Sequence, residues 1–441
     1  HDTGGSGHPC VGYLAGMPSV IIDAPESSRP ITSRRSRVFL GMVALLPLHT
    51  VALHLWISWK PWLVLLGILA AWQAVDGLRS RTWPWHPTVS IAITIFLAAV
   101  AVSWSGDAPE RYARLLLALV VGALTTLVTE RELRTPGMFD RTLRVIFWSA
   151  AALATTALLT SLLAAGTFGS EAIETVNDLP GVSQVTKEAY LSDGFVAITN
   201  WHEDPGYAAA WMNLWAALAL MASLRGRGSG RALVDACVVG GLWLGVVLTL
   251  SRTGLLGIVV TVLAVGWRER HRMRRALQLL AVSAAAAALL LGTVWLLDRP
   301  GVGGDLSEEL GFRLSQGLTL GPGQGDEGGA GASTDYRGVV WPQYFEFFRE
   351  NPTRGIGLGT GWAAGIQEPH NIVLELLGET GLVGFAGFTL LLVMIARSAS
   401  NPIGRTALVV ALSAAITQTV LFEATWWFAA GLALAPSQDE T

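Results

Sequence analysis

Apolar residues run along this chain in blocks of about 17–25, each long enough to cross a hydrocarbon core of about 30 Å. Short polar connections separate them, without the alternation of apolar and polar faces that a soluble domain of this length shows. The pattern predicts twelve spans, over about 38–58, 61–77, 87–106, 112–129, 144–166, 206–224, 232–250, 254–267, 277–297, 371–396, 405–421 and 424–436. The eighth and twelfth are short. Backbone polar groups in lipid must be satisfied within their own segment, so the spans are helices. The expected fold class is all-α: a polytopic membrane protein of about 12 transmembrane helices with two long outward loops.

The organisation that follows is a disordered tail over 1–37, spans one to five over 38–166, a loop A over 167–205 and spans six to nine over 206–297. A large loop B covers 298–370, spans ten to twelve cover 371–436, and 437–441 form a second tail. The first tail is polar and rich in Gly, Ser and Pro, without the apolar core of a signal peptide. Met17 in it is a candidate natural start.

Composition agrees: 51% of residues are hydrophobic and 14% charged, which excludes a nucleic-acid-binding surface as the main business of the chain. The net charge of -3 matters less than where the arginines lie. Arg34, Arg35 and Arg37, Arg79 and Arg81, Arg131 to Arg144, Arg225 to Arg231, Arg268 to Arg275, and Arg397 with Arg405 all fall in one alternate set of connections. By the excess of basic residues on the inner side, this set is cytoplasmic and both termini are inside. Loops A and B then face outward. Trp56, Trp59, Trp62, Trp83, Trp85, Trp104, Trp426 and Trp427 fall near span ends, as interfacial aromatics do. Cys10 and Cys237 are the only cysteines and supply neither a disulfide framework nor a metal cluster.

Loop B holds a Gly-rich run, Gly321 to Ser333, that reads as a tether. It is not a phosphate-binding loop, since no Gly-Lys-Ser/Thr follows it. Beyond it, Val339, Val340, Tyr344, Phe347 and Phe348 recur at near-helical spacing between Tyr336 and Glu350. That helix either lies on the outer leaflet or packs on the protein itself. Asn351-Pro352 ends it, and the Gly355-Ile-Gly-Leu-Gly-Thr-Gly361 run turns the chain towards His370.

His370 is the leading candidate for chemistry. It sits where loop B meets the tenth span, and Asn371 after it is suited to cap the helix. Imidazole exchanges protons near neutral pH, so it can act as a general base. A histidine here also serves as a plain capping or interfacial residue. Glu375 and Glu379 follow inside the span, four apart on one face, where carboxylates are costly. They either orient His370, bind an acceptor, pair with an arginine or face a wet cavity. Arg252 lies in a tight outward turn, Arg337 opens the loop B helix, Arg313 precedes the tether and Arg354 precedes the Gly-rich turn. A guanidinium matches phosphate oxygens in two-point geometry. Each arginine singly is equally suited to a surface ion pair. In Trp201-His-Glu-Asp-Pro-Gly-Tyr207, His202 with Glu203 and Asp204 offers a sugar or metal contact, but a helix entry capped by Asp204 with Pro205 in its first turn fits better. No metal-ligand spacing and no cofactor motif is present, so an enzyme here needs an activated substrate and no cofactor.

The motifs together resemble the O-antigen ligase superfamily, which includes O-antigen polymerases and protein O-oligosaccharyltransferases. They are Leu250-Ser-Arg-Thr-Gly254, Asp335-Tyr-Arg337 with Trp341, Asn351-Pro-x-x-Gly-Ile-Gly-Leu-Gly359, His370-Asn371-x-x-Leu374, and Glu379-x-Gly381-x-x-Gly384. The resemblance covers about residues 250–395; the first five spans match in hydropathy alone. It implies a metal-independent, inverting, GT-C-like membrane glycosyltransferase in a bacterial inner membrane. The implied donor is a glycan on undecaprenyl diphosphate. The implied acceptor is a glycolipid such as lipid A-core or, for a polymerase, a growing polysaccharide. It puts the base on His370 and diphosphate contacts on Arg337 and Arg252. A second diphosphate arginine, expected just before the sixth span, has no counterpart in Ala197 to Asp204; His202 and Arg114 are the substitutes at hand. A flippase for lipid-linked sugars would gather its polar residues at the midplane, whereas these gather at the outer boundary. A non-catalytic scaffold leaves the His370-Asn371 pair without a use.

Overall fold

The computed structural model describes residues 33–48, 53–54, 58–164, 205–249, 251–297, 332–416, 418 and 420–437. The fold is built of helices: α1 Arg34–Leu45, α2 Pro61–Ser80, α3 Pro87–Val102, α4 Pro109–Leu133, α5 Met138–Ala164, α6 Pro205–Leu224, α7 Ala232–Leu248, α8 Arg252–Arg268, α9 Met273–Leu297, α10 Ala332–Glu350, α11 Thr360–Ala363, α12 Ile372–Glu375, α13 Gly381–Ser398, α14 Pro402–Ala415 and α15 Ala424–Leu434. Their starts are written locally. Pro61, Pro87, Pro109, Pro205 and Pro402 stand first in their helices, where the missing N–H costs nothing. Ser33, Ser251, Asn371 and Asn401 accept from backbone N–H groups as N-caps.

A helix occupies each of the twelve predicted positions, the first only in part. There α1 stops at Leu45, a 3-10 turn follows over Leu46–Leu48, and Leu53–His54 pairs antiparallel with Ser58–Trp59. Pro47 in that turn cannot donate into a continuing helix. The tenth position is also interrupted: a π-turn, Leu376–Thr380, separates α12 from α13. Among the described residues, five stretches can cross a membrane by length and composition: Pro61–Ser80, Pro109–Leu133, Met138–Leu159, Gly206–Leu224 and Ile372–Ser398. Shorter apolar helices accompany them.

Two helices lie at the centre. Nearly all of α6 is buried, and α15 is buried along its whole length. Trp215 of α6 stacks on Phe428 of α15 at a centroid distance of 6.4 Å. Close backbone approaches fix the neighbours of α15. A Cβ on Gly122 of α4 would lie 2.2 Å from the Trp427 ring, and one on Gly404 of α14 would lie 2.1 Å from the Ala433 nitrogen. With 11 residues α15 rises only about 16 Å, roughly half a hydrocarbon core. It is a core helix rather than a lipid-facing one. Trp426 and Trp427 are correspondingly core residues, not the interfacial aromatics expected of them; both indoles donate to the Leu421 carbonyl. Trp83 and Trp104 are exposed as expected, whereas Trp62 is buried. Around this centre, Ile91, Leu117, Leu256, Leu263 and Leu289 are exposed, the apolar exterior that lipid requires.

Candidate functional site

The site is built where α10, α11 and α12 meet the first turns of α4 and α6. Asn371 caps α12: its Oδ1 accepts from the nitrogens of Val373 and Leu374 at 3.0 and 3.1 Å. Its Nδ2 donates to the Ile416 carbonyl at 3.0 Å, which ties the helix mouth to the end of α14. Two residues earlier, the Pro369 carbonyl accepts from Trp341 Nε1 at 2.9 Å. His370 is held between these anchors with φ +48°, one of two non-glycine residues at positive φ among those described. That conformation costs about 1–2 kcal/mol for an L-residue, and the flanking bonds hold it in place.

The half-buried His370 ring meets Tyr207 edge to face, with centroids 6.3 Å apart. The Tyr207 hydroxyl donates to Glu368 Oε2 at 3.4 Å, and Glu368 Oε1 pairs with Arg111 at 2.7 Å. Arg111 also lies over the Trp362 ring, 4.9 Å from its centroid, and its Nε–H is buried without a hydrogen-bond partner among the described residues. A cavity of about 330 Å³ opens beside it, lined by Arg111, Arg114, Glu110 and Trp362 among others. Three separate parts of the chain thus meet around the stretch that holds Glu368 and His370: the first turn of α4, the first turn of α6 and α11.

The π-turn supports this mouth from below. The Gly-rich run lies backbone to backbone on it: Ile356 N donates to Gly378 O at 3.0 Å and Gly357 N to Glu379 O at 2.9 Å. The Pro352 and Thr353 carbonyls accept from Leu382 and Val383 of α13, satisfying N–H groups that a helix start leaves open. Glycines make the approach possible. A Cβ on Gly355 would fall 2.3 Å from the Glu379 carbonyl carbon, and one on Gly378 would fall 2.8 Å from the Tyr344 ring. The Gly-rich run therefore docks on Leu376–Thr380.

Glu379 is 3% exposed; its Oε2 accepts from Gly359 N at 2.8 Å and its Oε1 from the Tyr344 hydroxyl at 3.4 Å. Glu375 is 4% exposed. Both carboxylates are buried away from bulk solvent. Glu379 is a hydrogen-bonded brace between loop B and the tenth helix, as a buried carboxylate must be.

Arg337 is half-buried on α10, four residues before Trp341 and hence on the face that Trp341 turns to Pro369. On the same helix Val340 and Tyr344 are buried against the protein while Val339 and Phe345 are exposed. One face of this helix thus packs on the protein itself. Arg354 is exposed in the turn after α10. Arg252 opens α8 behind the Ser251 cap, but its side chain lies outside the described residues. Arg313 and His202 lie outside them as well, as do residues 165–204 and 298–331. Arg114 is exposed and paired with Glu110 at 3.5 Å. The structure therefore gathers His370, Asn371, Glu375, Glu379 and the helix of Arg337, and leaves Arg354 apart.

Sequence reasoning missed Arg111, Glu368, Tyr207 and Trp362. Glu368 stands two residues before His370, and a charged residue there was a usable signal. Arg111, 257 positions from Glu368 in the chain, offered none. Among the described residues no three His, Cys, Asp or Glu side chains gather as a metal-ligand set.

Residues 237–389 match the family model described as O-Antigen ligase. The resemblance read from the motifs is borne out over that segment, which holds α8, α10, the Gly-rich run and His370. No curated protein and no solved structure matches the chain.

Proposed function

From the match of residues 237–389 to the O-antigen ligase family model, we propose that this chain is a membrane glycosyltransferase acting at the outer face of a bacterial inner membrane. It transfers a glycan from undecaprenyl diphosphate to an acceptor hydroxyl, with lipid A-core as the acceptor. On this reading loops A and B lie on that face, because the arginines collect in the alternate set of connections.

The observation that carries this reading is the built helix mouth from Glu368 to Asn371, which holds His370 against Tyr207. His370 takes the proton of the acceptor hydroxyl as its oxygen attacks the anomeric carbon. The new C–O bond forms on the face opposite the leaving group, so the configuration inverts. The bond to the diphosphate breaks, and the undecaprenyl diphosphate departs with the electron pair. Its charge needs fixed cations, and these do most when preorganised. Arg337 supplies one, with Arg252 and Arg313 contributing from the same outward side. Arg111 supplies the second cation that the stretch before α6 lacks: Glu368 and Trp362 hold its guanidinium, and its buried Nε–H remains to meet an oxygen. Glu379 acts through the backbone, holding the Gly-rich run in place. The diphosphate is already a good leaving group, so transfer requires no metal or cofactor. A polymerase would share every one of these steps and differ in the acceptor alone.

The test is transfer by purified full-length protein from an undecaprenyl-diphosphate-linked oligosaccharide to lipid A-core, with products separated by mass. His370→Ala is expected to lose roughly 10²–10⁴-fold in transfer while donor binding and thermal unfolding stay near wild type. A well-folded His370→Ala protein with near-normal transfer removes the base and the mechanism with it.

A further inference from the structure

At the other end of α6 the chain builds a second cavity, of about 780 Å³, lined by Arg225, His271, Arg272, Arg274, Arg275 and Gln278 among others. Since α6 runs 20 residues from Pro205 to Leu224, the two sites stand about 30 Å apart, at opposite ends of the bundle. We propose that this basic cavity binds the phosphate headgroup of an anionic lipid of the inner leaflet. The proposal rests on the membrane placement above and not on glycosyl transfer.

Charge comes first. Four arginines line the cavity, and among the described residues one of them, Arg225, meets a carboxylate, the fully buried Glu269, at 3.5 Å; Glu269 also lies 3.6 Å from His271. Arg272 and Arg275 each give a donor to the end of α6, to Leu224 O at 2.9 Å and Ser223 O at 3.1 Å. A guanidinium has five N–H donors, so both keep others for a ligand. Arg274 is exposed and has no ion pair or hydrogen bond among the described residues.

Helix polarity adds to this. Arg274 and Arg275 stand in the first turn of α9, a 25-residue helix with no acidic residue there. A helix N-terminus already carries partial positive charge, so two cations in its first turn are unfavourable alone. An anion in the cavity relieves both.

The surroundings choose the source of the phosphate. Trp267 is 79% exposed at the end of α8, with the Arg270 guanidinium 5.8 Å over its ring. Leu263 of the same helix and Leu277 of α9 are exposed too. An aromatic flanked by apolar residues on one side and arginines on the other marks headgroup depth. A soluble anion would use the arginines and leave that apolar surface bare, whereas a lipid covers both with head and chains.

Purified full-length protein in neutral detergent is titrated with phosphatidylglycerol, with phosphatidylcholine and with glycerol phosphate, and bound lipid is counted by native mass spectrometry. Saturable binding of phosphatidylglycerol alone is expected. Arg274→Ala should weaken it about fivefold, and Arg274→Ala with Arg275→Ala about 25-fold, at the usual contribution of a basic residue near an anionic surface. Arg274→Ala breaks no bond among the described residues, so its thermal unfolding should be unchanged, which keeps the single variant decisive should the double variant fold poorly. Arg79→Ala, an exposed arginine of the same basic set, should bind like wild type. Equal binding of phosphatidylcholine, glycerol phosphate binding as tightly as the lipid, wild-type affinity in Arg274→Ala, or an equal loss in Arg79→Ala would each overturn the proposal.

Discussion

Replacing Gly355 by alanine separates backbone conformation from backbone contact, because Gly365 provides the matching control. Both glycines have positive φ, +66° and +78°. An alanine at either pays the left-handed penalty of about 1–2 kcal/mol. At Gly365 a Cβ meets nothing within 4 Å, so the cost should stop there. At Gly355 the Cβ would sit 2.3 Å from the Glu379 carbonyl carbon and 2.5 Å from the Thr380 nitrogen. The atoms it meets are backbone on both sides and cannot swing away. Relief requires the run to lift off the π-turn, which breaks Ile356 N–Gly378 O and Gly357 N–Glu379 O at about 1 kcal/mol each. The bond from Gly359 N to the buried Glu379 carboxylate goes with them, at about 2 kcal/mol for a charged acceptor. The expected totals are about 5–6 kcal/mol for Gly355→Ala and about 1–2 kcal/mol for Gly365→Ala. Equilibrium unfolding in detergent followed by tryptophan fluorescence, with hydrogen exchange of 353–359, reads both. Exchange in that stretch should rise in Gly355→Ala and stay low in Gly365→Ala, and transfer should fall with it. Equal destabilisation of the two variants would refute the reasoning, since it would mean that the run does not rest on the π-turn.

Three further outcomes are expected. Arg337→Lys should impair donor binding nearly as much as Arg337→Ala, because the two-point contact is lost with the guanidinium; wild-type turnover and donor affinity in both would remove Arg337 from the diphosphate site. Arg111→Ala should raise the donor KM about tenfold, the worth of one hydrogen bond to a charged group, and Glu368→Gln should raise it less; an unchanged KM in Arg111→Ala would assign the pair to packing alone. In a background without Cys10 and Cys237, cysteines at Ser170 and Ser333 should react with an impermeant thiol reagent in intact cells while one at Ser229 should not; the reverse labelling would invert the orientation.

Apolar length is a one-dimensional signal, and it placed a helix at every predicted position. Caps are local too, which is why Asn371 could be assigned from its neighbours and is found accepting from Val373 and Leu374. Hydropathy reports composition and not surroundings. It therefore read Ala424 to Leu434 as a span, although that helix is surrounded by protein and its tryptophans point into the core. The same limit hid the burial of Glu379. A carboxylate inside an apolar run is visible, but the backbone donor that satisfies it lies 20 residues away on a glycine run.

The part of the site that escaped the sequence is the part assembled by tertiary pairing. Arg111 looks like any charged residue in the first turn of a helix. It becomes a candidate only when α4 lies beside the stretch before α12 and Glu368 meets it. Its neighbours argue that the position is specified. Gly359 sits against the Arg111 side chain, where a Cβ would come within 2.6 Å of its Cγ, and the nitrogen of that glycine is the one that Glu379 holds. One residue thus links the brace under the helix mouth to the cation beside it. Loosening the Gly-rich run should therefore disturb Arg111, the cation proposed for the donor, as well as the mouth of α12. Donor affinity in Gly355→Ala should then fall with stability, whereas His370→Ala should lower transfer with donor affinity kept. The two failures differ because the brace acts through position and the histidine through its proton.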